Sequence, residues 1–119
     1  MKLSWHRSDD FNRDFDLQYQ WFLENADEAV AGRYLDAVLA TMRLLATQPG
    51  LGRLRKFRHP ALQDIRSFRV ASPFEVHLLF YRQNSTGLFA ERLMHAARNL
   101  PKRLMEPPGS PGPGTDSAA

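Results

Sequence analysis

The chain has 119 residues, a formal net charge of +3 and no cysteine, so it holds one domain at most and cannot form a disulfide. Its start, MKLSWHRSDD, lacks the apolar run of a signal peptide, and no segment approaches the ~18 apolar residues of a membrane span, which predicts a soluble, cytoplasmic protein. Residues 1–48 are acidic overall, whereas residues 49–105 are strongly basic and rich in arginine, so the second half of the chain suits an acidic partner.

The first half of the chain predicts a short strand and two helices. Residues 2–6 alternate weakly between polar and apolar side chains, as in a strand. Ser8 can cap a helix that carries an aromatic stripe and ends near Glu24, and Asp27 can cap a second helix. This second helix has to end just before Pro49, because the residue before a proline avoids helical angles. The short turn between the helices predicts an antiparallel helical hairpin.

The second half predicts a loop and three strands. The loop covers residues 49–63, where two glycines and two prolines argue against a regular element. Strands are expected at residues 64–70, 74–82 and 87–95. One face of the middle strand is expected to pack on the helical hairpin, and it carries Phe74, Val76, Leu78 and Phe80.

The predicted register of the last two strands follows from a turn at residues 83–87. Arg82 would then pair with Leu88, and His95 would lie opposite Glu75. A contact between Glu75 and His95 at the sheet edge is one interpretation of this pair. The other is a catalytic role for His95 as a general base.

From Glu106 onward, the last fourteen residues include four prolines and three glycines. Such a composition cannot bury apolar surface, which predicts a disordered tail over residues 106–119 and a folded domain over residues 1–105. Four scattered histidines without cysteine give no ligand spacing for a metal, so neither a metal nor another cofactor is expected.

Four motifs, taken in chain order, carry a family resemblance. They are ATQPGLG at residues 46–52, IRSFRV at 65–70, LFYR at 79–82 and RLMHAARNLP at 92–101. Over nearly all of residues 2–104, this pattern resembles the RelE/ParE superfamily of toxins from type II toxin–antitoxin systems. The resemblance implies an α+β fold, with a helical hairpin packed on one face of a small, mainly antiparallel four-stranded sheet in the order β-α-α-β-β-β. It also implies a cognate antitoxin that wraps around the toxin.

The superfamily contains two mechanisms. RelE-like members cut messenger RNA on the ribosome, whereas ParE-like members inhibit DNA gyrase and are not nucleases. Cleavage of RNA without a metal needs a base, an acid and cations around one phosphate. Matched to the nuclease pattern, Arg66 lies near one lysine site and Arg98 fits the C-terminal arginine. Three expected polar positions are occupied instead by Phe68, Leu78 and Leu104.

The incomplete nuclease set favours a ParE-like toxin that binds gyrase directly, reaches DNA only through its antitoxin and has no membrane partner. The alternative is a RelE-like, ribosome-dependent mRNA endonuclease in which Arg66, His95 and Arg98 would carry the chemistry. A non-toxic module that binds RNA or DNA is a third hypothesis.

The residues predicted to bind the antitoxin or the target are mostly arginines of the three strands, because a guanidinium group fits a carboxylate. The full set is Arg66, Arg69, Tyr81, Arg82, Arg92, His95 and Arg98. The alternative interpretation of the strand arginines is that they are solvated charges that discourage aggregation at the sheet edge. For Tyr81 the alternative is a packing residue with a solvated hydroxyl.

Overall fold

Two long helices and a five-stranded sheet form most of the structure, a computed structural model that describes residues 3–96 and 99–109. The elements in chain order are β1 (Trp5–Arg7), α1 (Asp9–Asn25), α2 (Glu28–Thr47), β2 (Arg53–Leu54), β3 (Arg66–Arg69), β4 (His77–Asn84), β5 (Gly87–His95) and α3 (Leu100–Met105). The predicted α+β class, with a helical hairpin on one face of the sheet, is confirmed.

Both predicted helix caps are confirmed. The Ser8 side chain accepts a hydrogen bond from the Phe11 N–H at 2.9 Å, and the Asp27 carboxylate accepts one from the Val30 N–H at 2.9 Å. Each cap satisfies a backbone donor that has no partner within its own helix. Helix α2 ends at Thr47, in agreement with the expected stop before Pro49.

The sheet has the order β1-β5-β4-β3-β2, with β1 parallel to β5 and the other neighbours antiparallel. It has five strands rather than the expected four, because β2 forms within the segment predicted as a loop and pairs with β3. This segment also contains the 3-10 turns Pro49–Leu51 and Pro60–Leu62. A strand of two residues leaves no periodic pattern, so alternation could not reveal it.

The predicted hairpin register is wrong by one residue at the turn. Arg82 pairs with Phe89 rather than Leu88, because Asn84 pairs with Gly87 and only two residues connect them. The Asn84 side chain accepts hydrogen bonds from the Thr86 and Gly87 N–H groups. This local bonding makes the turn shorter than the composition of residues 83–87 suggested.

A β-bulge then changes the register again. Phe80 pairs with Arg92 but Tyr81 pairs with Ala90, which leaves Glu91 as the extra residue of β5. His95 consequently lies opposite His77 and not opposite Glu75. The predicted cross-strand contact between Glu75 and His95 is therefore wrong.

The predicted orientation of β4 is also wrong. Leu79 and Tyr81 pack toward the helices, in the cluster that contains Tyr34 of α2. Leu78 and Phe80 belong to a second cluster on the other side of the sheet. Both faces of β4 are apolar and buried, so alternation alone could not distinguish them.

The second face of the sheet is covered by two segments that the sequence did not predict as a cover. Leu62 and Ile65 reach it from the segment before β3, and Leu104 reaches it from α3. Helix α3 was not predicted at all, because six residues with one proline show no helical periodicity. As a result the sheet lies between two apolar layers, and few of its side chains are free to meet a partner.

Candidate functional site

Tyr81 and Arg66 are cross-strand neighbours that jointly hold the turn before β2. The Tyr81 hydroxyl donates to the Pro49 carbonyl at 2.7 Å and accepts from the Gly52 N–H at 2.9 Å. Arg66 Nη1 donates to the Gly52 carbonyl at 2.7 Å. Burial raises the pKa of Tyr81, although the Gly52 N–H and the Arg66 charge oppose this shift. Tyr81 is thus a buried positioning residue.

Gly52→Ala is expected to destabilise the protein by about 1–3 kcal/mol, the usual cost of overpacking. A Cβ atom at Gly52 would lie 2.6 Å from Cε1 and Cζ of Tyr81, so the turn or the ring has to move. The control is Gly50→Ala in the same turn, where a Cβ atom would meet nothing within 4 Å. Urea unfolding measures both variants, and equal stabilities would show that the close approach to Tyr81 does not matter.

Beside this turn lies a concentration of cations that we call the basic edge; it consists of Arg53, Arg55, Lys56 and Arg66. Within residues 3–96 and 99–109, none of these four side chains forms an ion pair. Burial, and secondarily the charge of Arg53, lower the pKa of Arg55, as expected where cations are crowded. No acidic side chain among the described residues therefore neutralises these cations at ion-pair distance.

Two leucines are exposed within the same stretch. The exposed fraction is 45% for Leu51 and 43% for Leu54. Large apolar side chains that lie next to unpaired cations are typical of a surface that binds another protein.

Arg92, a predicted binding residue, is buried and fully used inside the protein. Its Nε lies 2.7 Å from Oδ2 of Asp14, and its Nη2 lies 3.1 Å from Oδ1. Its Nη1 donates to the carbonyls of Leu104 at 3.2 Å and Glu106 at 2.7 Å, at the end of α3. Arg92 therefore connects α1, β5 and α3 and does not face a partner.

Arg82 also makes contacts within the protein. Its guanidinium donates to the carbonyls of Ala61 and, at 3.2 Å, Gln63, and it lies 3.7 Å from the Glu91 carboxylate. These bonds fasten the 3-10 turn Pro60–Leu62 over the second face of the sheet. In contrast, Arg69 is exposed at the end of β3.

His95, at the end of β5, lies next to His77 at the start of β4, away from the turn before β2 that Tyr81 holds. Its ring lies 5.5 Å from the ring of buried His77, whose Nδ1 lies 3.4 Å from the Tyr34 hydroxyl. Burial, and secondarily the charge of His95, lower the pKa of His77 to about 4, so His77 is neutral at pH 7. His95 itself is exposed, with Nδ1 2.9 Å from the Ala96 carbonyl.

The residues proposed for RNA cleavage are not brought together. Arg66 pairs with Tyr81 and His95 pairs with His77, and these partners are four residues apart on β4, or about 13 Å along the strand. Arg66 lies on β3 and His95 lies on β5, the two strands that flank β4. The Arg66 guanidinium is bonded to the turn before β2. Arg98 lies outside the described residues.

The sequence prediction missed Asp14 and Gly52. Asp14 follows Phe11 by three residues and so lies on the apolar face of α1, where a carboxylate indicates a buried partner. Nothing in the sequence identified Arg92 as that partner, because the two are 78 residues apart. Gly52 carried a weaker signal, as one of two closely spaced glycines after a helix.

Two further properties hold for residues 3–96 and 99–109. No group of three or more histidine and acidic side chains there is arranged to hold a metal ion. Every helix in that part of the chain is too short or too polar to span a lipid bilayer.

Comparison with known proteins adds two findings. The family described as "ParE toxin of type II toxin-antitoxin system, parDE" matches residues 6–100. Among solved structures, a chain of the "Chromosomal ParDE TA system from P. aeruginosa" is similar with a TM-score of 0.65 and 12% sequence identity, over 81% of this chain and 98% of that chain. At this identity the likeness concerns the fold alone. No curated protein matches the chain.

Proposed function

The chain belongs to the ParE toxin family of type II toxin–antitoxin systems, and from this we propose that it inhibits DNA gyrase by direct binding. A cognate antitoxin neutralises it, and DNA is reached only through that antitoxin. The activity resides in residues 1–105, and the protein acts in the cytoplasm, where gyrase is found.

The observation that carries this proposal is the separation of the candidate catalytic groups. Acid–base cleavage of RNA requires these groups within hydrogen-bond reach of one phosphate. Arg66 is bonded to the Gly52 carbonyl, whereas His95 lies about 13 Å further along the sheet. This placement supports a toxin that binds its target over one that cleaves RNA.

The distribution of charge supports a protein partner. The cations of the basic edge form no ion pair among residues 3–96 and 99–109, and Leu51 and Leu54 are exposed within it. Complementary charge of this kind speeds association with an acidic protein and selects among partners. Arg69 and His95 are exposed elsewhere on the sheet and extend the surface that a partner can contact.

The decisive test is a supercoiling assay with purified toxin and DNA gyrase at micromolar concentrations. We expect inhibition of supercoiling or accumulation of cleaved DNA, and relief of either effect by the antitoxin. Relaxation of the same plasmid by a type I topoisomerase serves as the control and should not change.

Two outcomes would overturn the gyrase proposal. If expression arrests growth without an effect on gyrase, and primer extension shows cuts at codon positions, the protein is an mRNA endonuclease of the RelE type. In that case Arg66, His95 and Arg98 are the first residues to replace. If expression is harmless and duplex DNA binds with a steep salt dependence, the chain is a nucleic-acid-binding module.

A further inference from the structure

The turn before β2 is held rigidly while its apolar side chains face solvent. Tyr81 and Arg66 fix the backbone at Pro49 and Gly52 through three hydrogen bonds of 2.7–2.9 Å. Trp5 packs edge-on against the Tyr81 ring, with 5.8 Å between the ring centroids. Tyr81 is buried, and Arg66 and Trp5 are half-buried. Because these side chains hold the turn, Leu51 is presented in one fixed place, which reduces the entropy lost when a partner binds.

Strand β2 presents an open edge next to this turn. It is the terminal strand of the sheet formed by residues 3–96 and 99–109. The Arg55 N–H donates to the Ile65 carbonyl at 2.9 Å, and Leu54 lies opposite Arg66. In an antiparallel pair, every second residue bonds to the neighbouring strand through its backbone. Because Arg55 bonds to β3 in this way, the N–H and C=O of Leu54 point away from β3. A second extended chain can bond to them there.

The composition of this edge indicates what binds it. A short strand with charged side chains is a common protection against aggregation, and the charges of the basic edge fit that role. Protection gives no reason to expose Leu51 and Leu54, at 45% and 43%, beside those charges. Nucleic acid would pair with the cations but would leave the leucines and the backbone of Leu54 without suitable contacts. An extended peptide with carboxylates and an apolar residue matches all three features.

We propose that an extended acidic segment of the antitoxin adds a sixth strand to the sheet along β2. Its backbone bonds to Leu54, an apolar side chain packs on Leu51 and Leu54, and its carboxylates meet Arg53 and Lys56. The inference rests on the proposed function, because it assumes that the partner of this toxin is an antitoxin.

The test measures the affinity of the antitoxin for full-length variants of the toxin. The antitoxin used is the protein that relieves growth arrest. Leu54→Pro removes the outward N–H while keeping the bond that Arg55 donates to Ile65, and proline is tolerated where an edge N–H faces solvent. We expect a loss of affinity of about tenfold or more, the equivalent of one lost hydrogen bond with its apolar contact. The matched control is Arg7→Pro at the opposite edge of the sheet, in β1, which should bind like the wild type.

A second pair of variants tests the charges. Arg53→Glu combined with Lys56→Glu should weaken binding of the antitoxin by a similar factor. Arg33→Glu reverses an exposed cation on α2, outside the basic edge and outside the predicted binding residues, and should have little effect. In the wild-type complex, hydrogen exchange at the Leu54 amide should slow relative to the free toxin.

The outcomes separate this inference from the proposed function. Two results together would overturn the inference and leave the toxin assignment intact. They are normal binding of the antitoxin to Leu54→Pro, and no slowing of hydrogen exchange at the Leu54 amide in the wild-type complex. Failure of the wild-type toxin to bind any antitoxin would overturn both. Binding of a 20-base-pair duplex that is lost in Arg53→Glu with Lys56→Glu, but kept in Leu54→Pro, would assign the basic edge to nucleic acid instead.

Discussion

Arg92→Ala is expected to lower the free energy of unfolding by about 3–5 kcal/mol, the cost of removing one partner from a buried ion pair. The Asp14 carboxylate would remain buried with only the Leu93 N–H as a donor, at 3.0 Å. The carbonyls of Leu104 and Glu106 would also lose their shared donor. Denaturation by guanidinium, followed by circular dichroism, measures this loss.

The control for Arg92→Ala is Glu91→Gln, which removes the exposed ion pair with Arg82. Both side chains of that pair are about one-third exposed, at 31% and 32%, so the expected change is within about 1 kcal/mol. A loss for Arg92→Ala as small as that for Glu91→Gln would contradict the buried role of Arg92. If the penalty comes from an uncompensated charge, the double variant Asp14→Leu with Arg92→Met should recover part of the stability lost in Arg92→Ala.

Stability is expected to fall by about 3 kcal/mol between pH 6.5 and pH 4 through His77 alone. The pKa of His77 is lowered to about 4 in the folded protein, so the unfolded chain binds a proton in this range and the folded chain does not. The neutral form of His77 therefore stabilises the fold fully above pH 6.5. That stabilisation is lost progressively as the pH falls toward 4.

The variant that isolates this effect is His77→Phe, since its ring can occupy the aromatic cluster of Phe22, Tyr34 and Phe74. Unfolding free energies of the wild type and His77→Phe are measured from pH 4 to pH 7.5. The difference between the two curves should change by about 3 kcal/mol over this interval, whatever the carboxylates contribute to both. A constant difference between wild type and His77→Phe would contradict the assigned pKa.

Features of the fold that depend on neighbours in sequence could be predicted from the sequence. Ser8 and Asp27 cap helices through bonds to residues three positions ahead, and the stop before Pro49 follows from the geometry of one residue. The order of the motifs added the mainly antiparallel sheet beside the helical hairpin, because it resembles a known scaffold, although the structure has five strands rather than four.

Features that depend on distant contacts could not be predicted. The orientation of β4 was undetermined because residues far away in sequence, such as Leu62 and Leu104, cover its second face. The position of His95 depended on the bulge at Glu91, which breaks the regular counting of pairs.

The arrangement of the candidate site could not be predicted. Of the arginines predicted on neighbouring strands, only Arg66 lies in the basic edge, whereas Arg92 lies buried against Asp14 and Arg82 lies against the Ala61 and Gln63 carbonyls. An arginine can be buried only where the fold brings a carboxylate or carbonyl groups without other partners close to its guanidinium. A single sequence does not report those distances.

The parallel pairing of β1 with β5 has a consequence for how the toxin is made. Trp5 leaves the ribosome well before its partner Leu88, which follows it by 83 residues. The bond from Arg92 to Asp14 likewise cannot form until the 78 residues that follow Asp14 have been synthesised. Until β5 exists, the apolar face of the helical hairpin has no sheet to pack on, and such non-local pairing forms slowly. We therefore expect a nascent or truncated toxin to be inert and readily degraded, so that each copy becomes harmful only after its synthesis is complete.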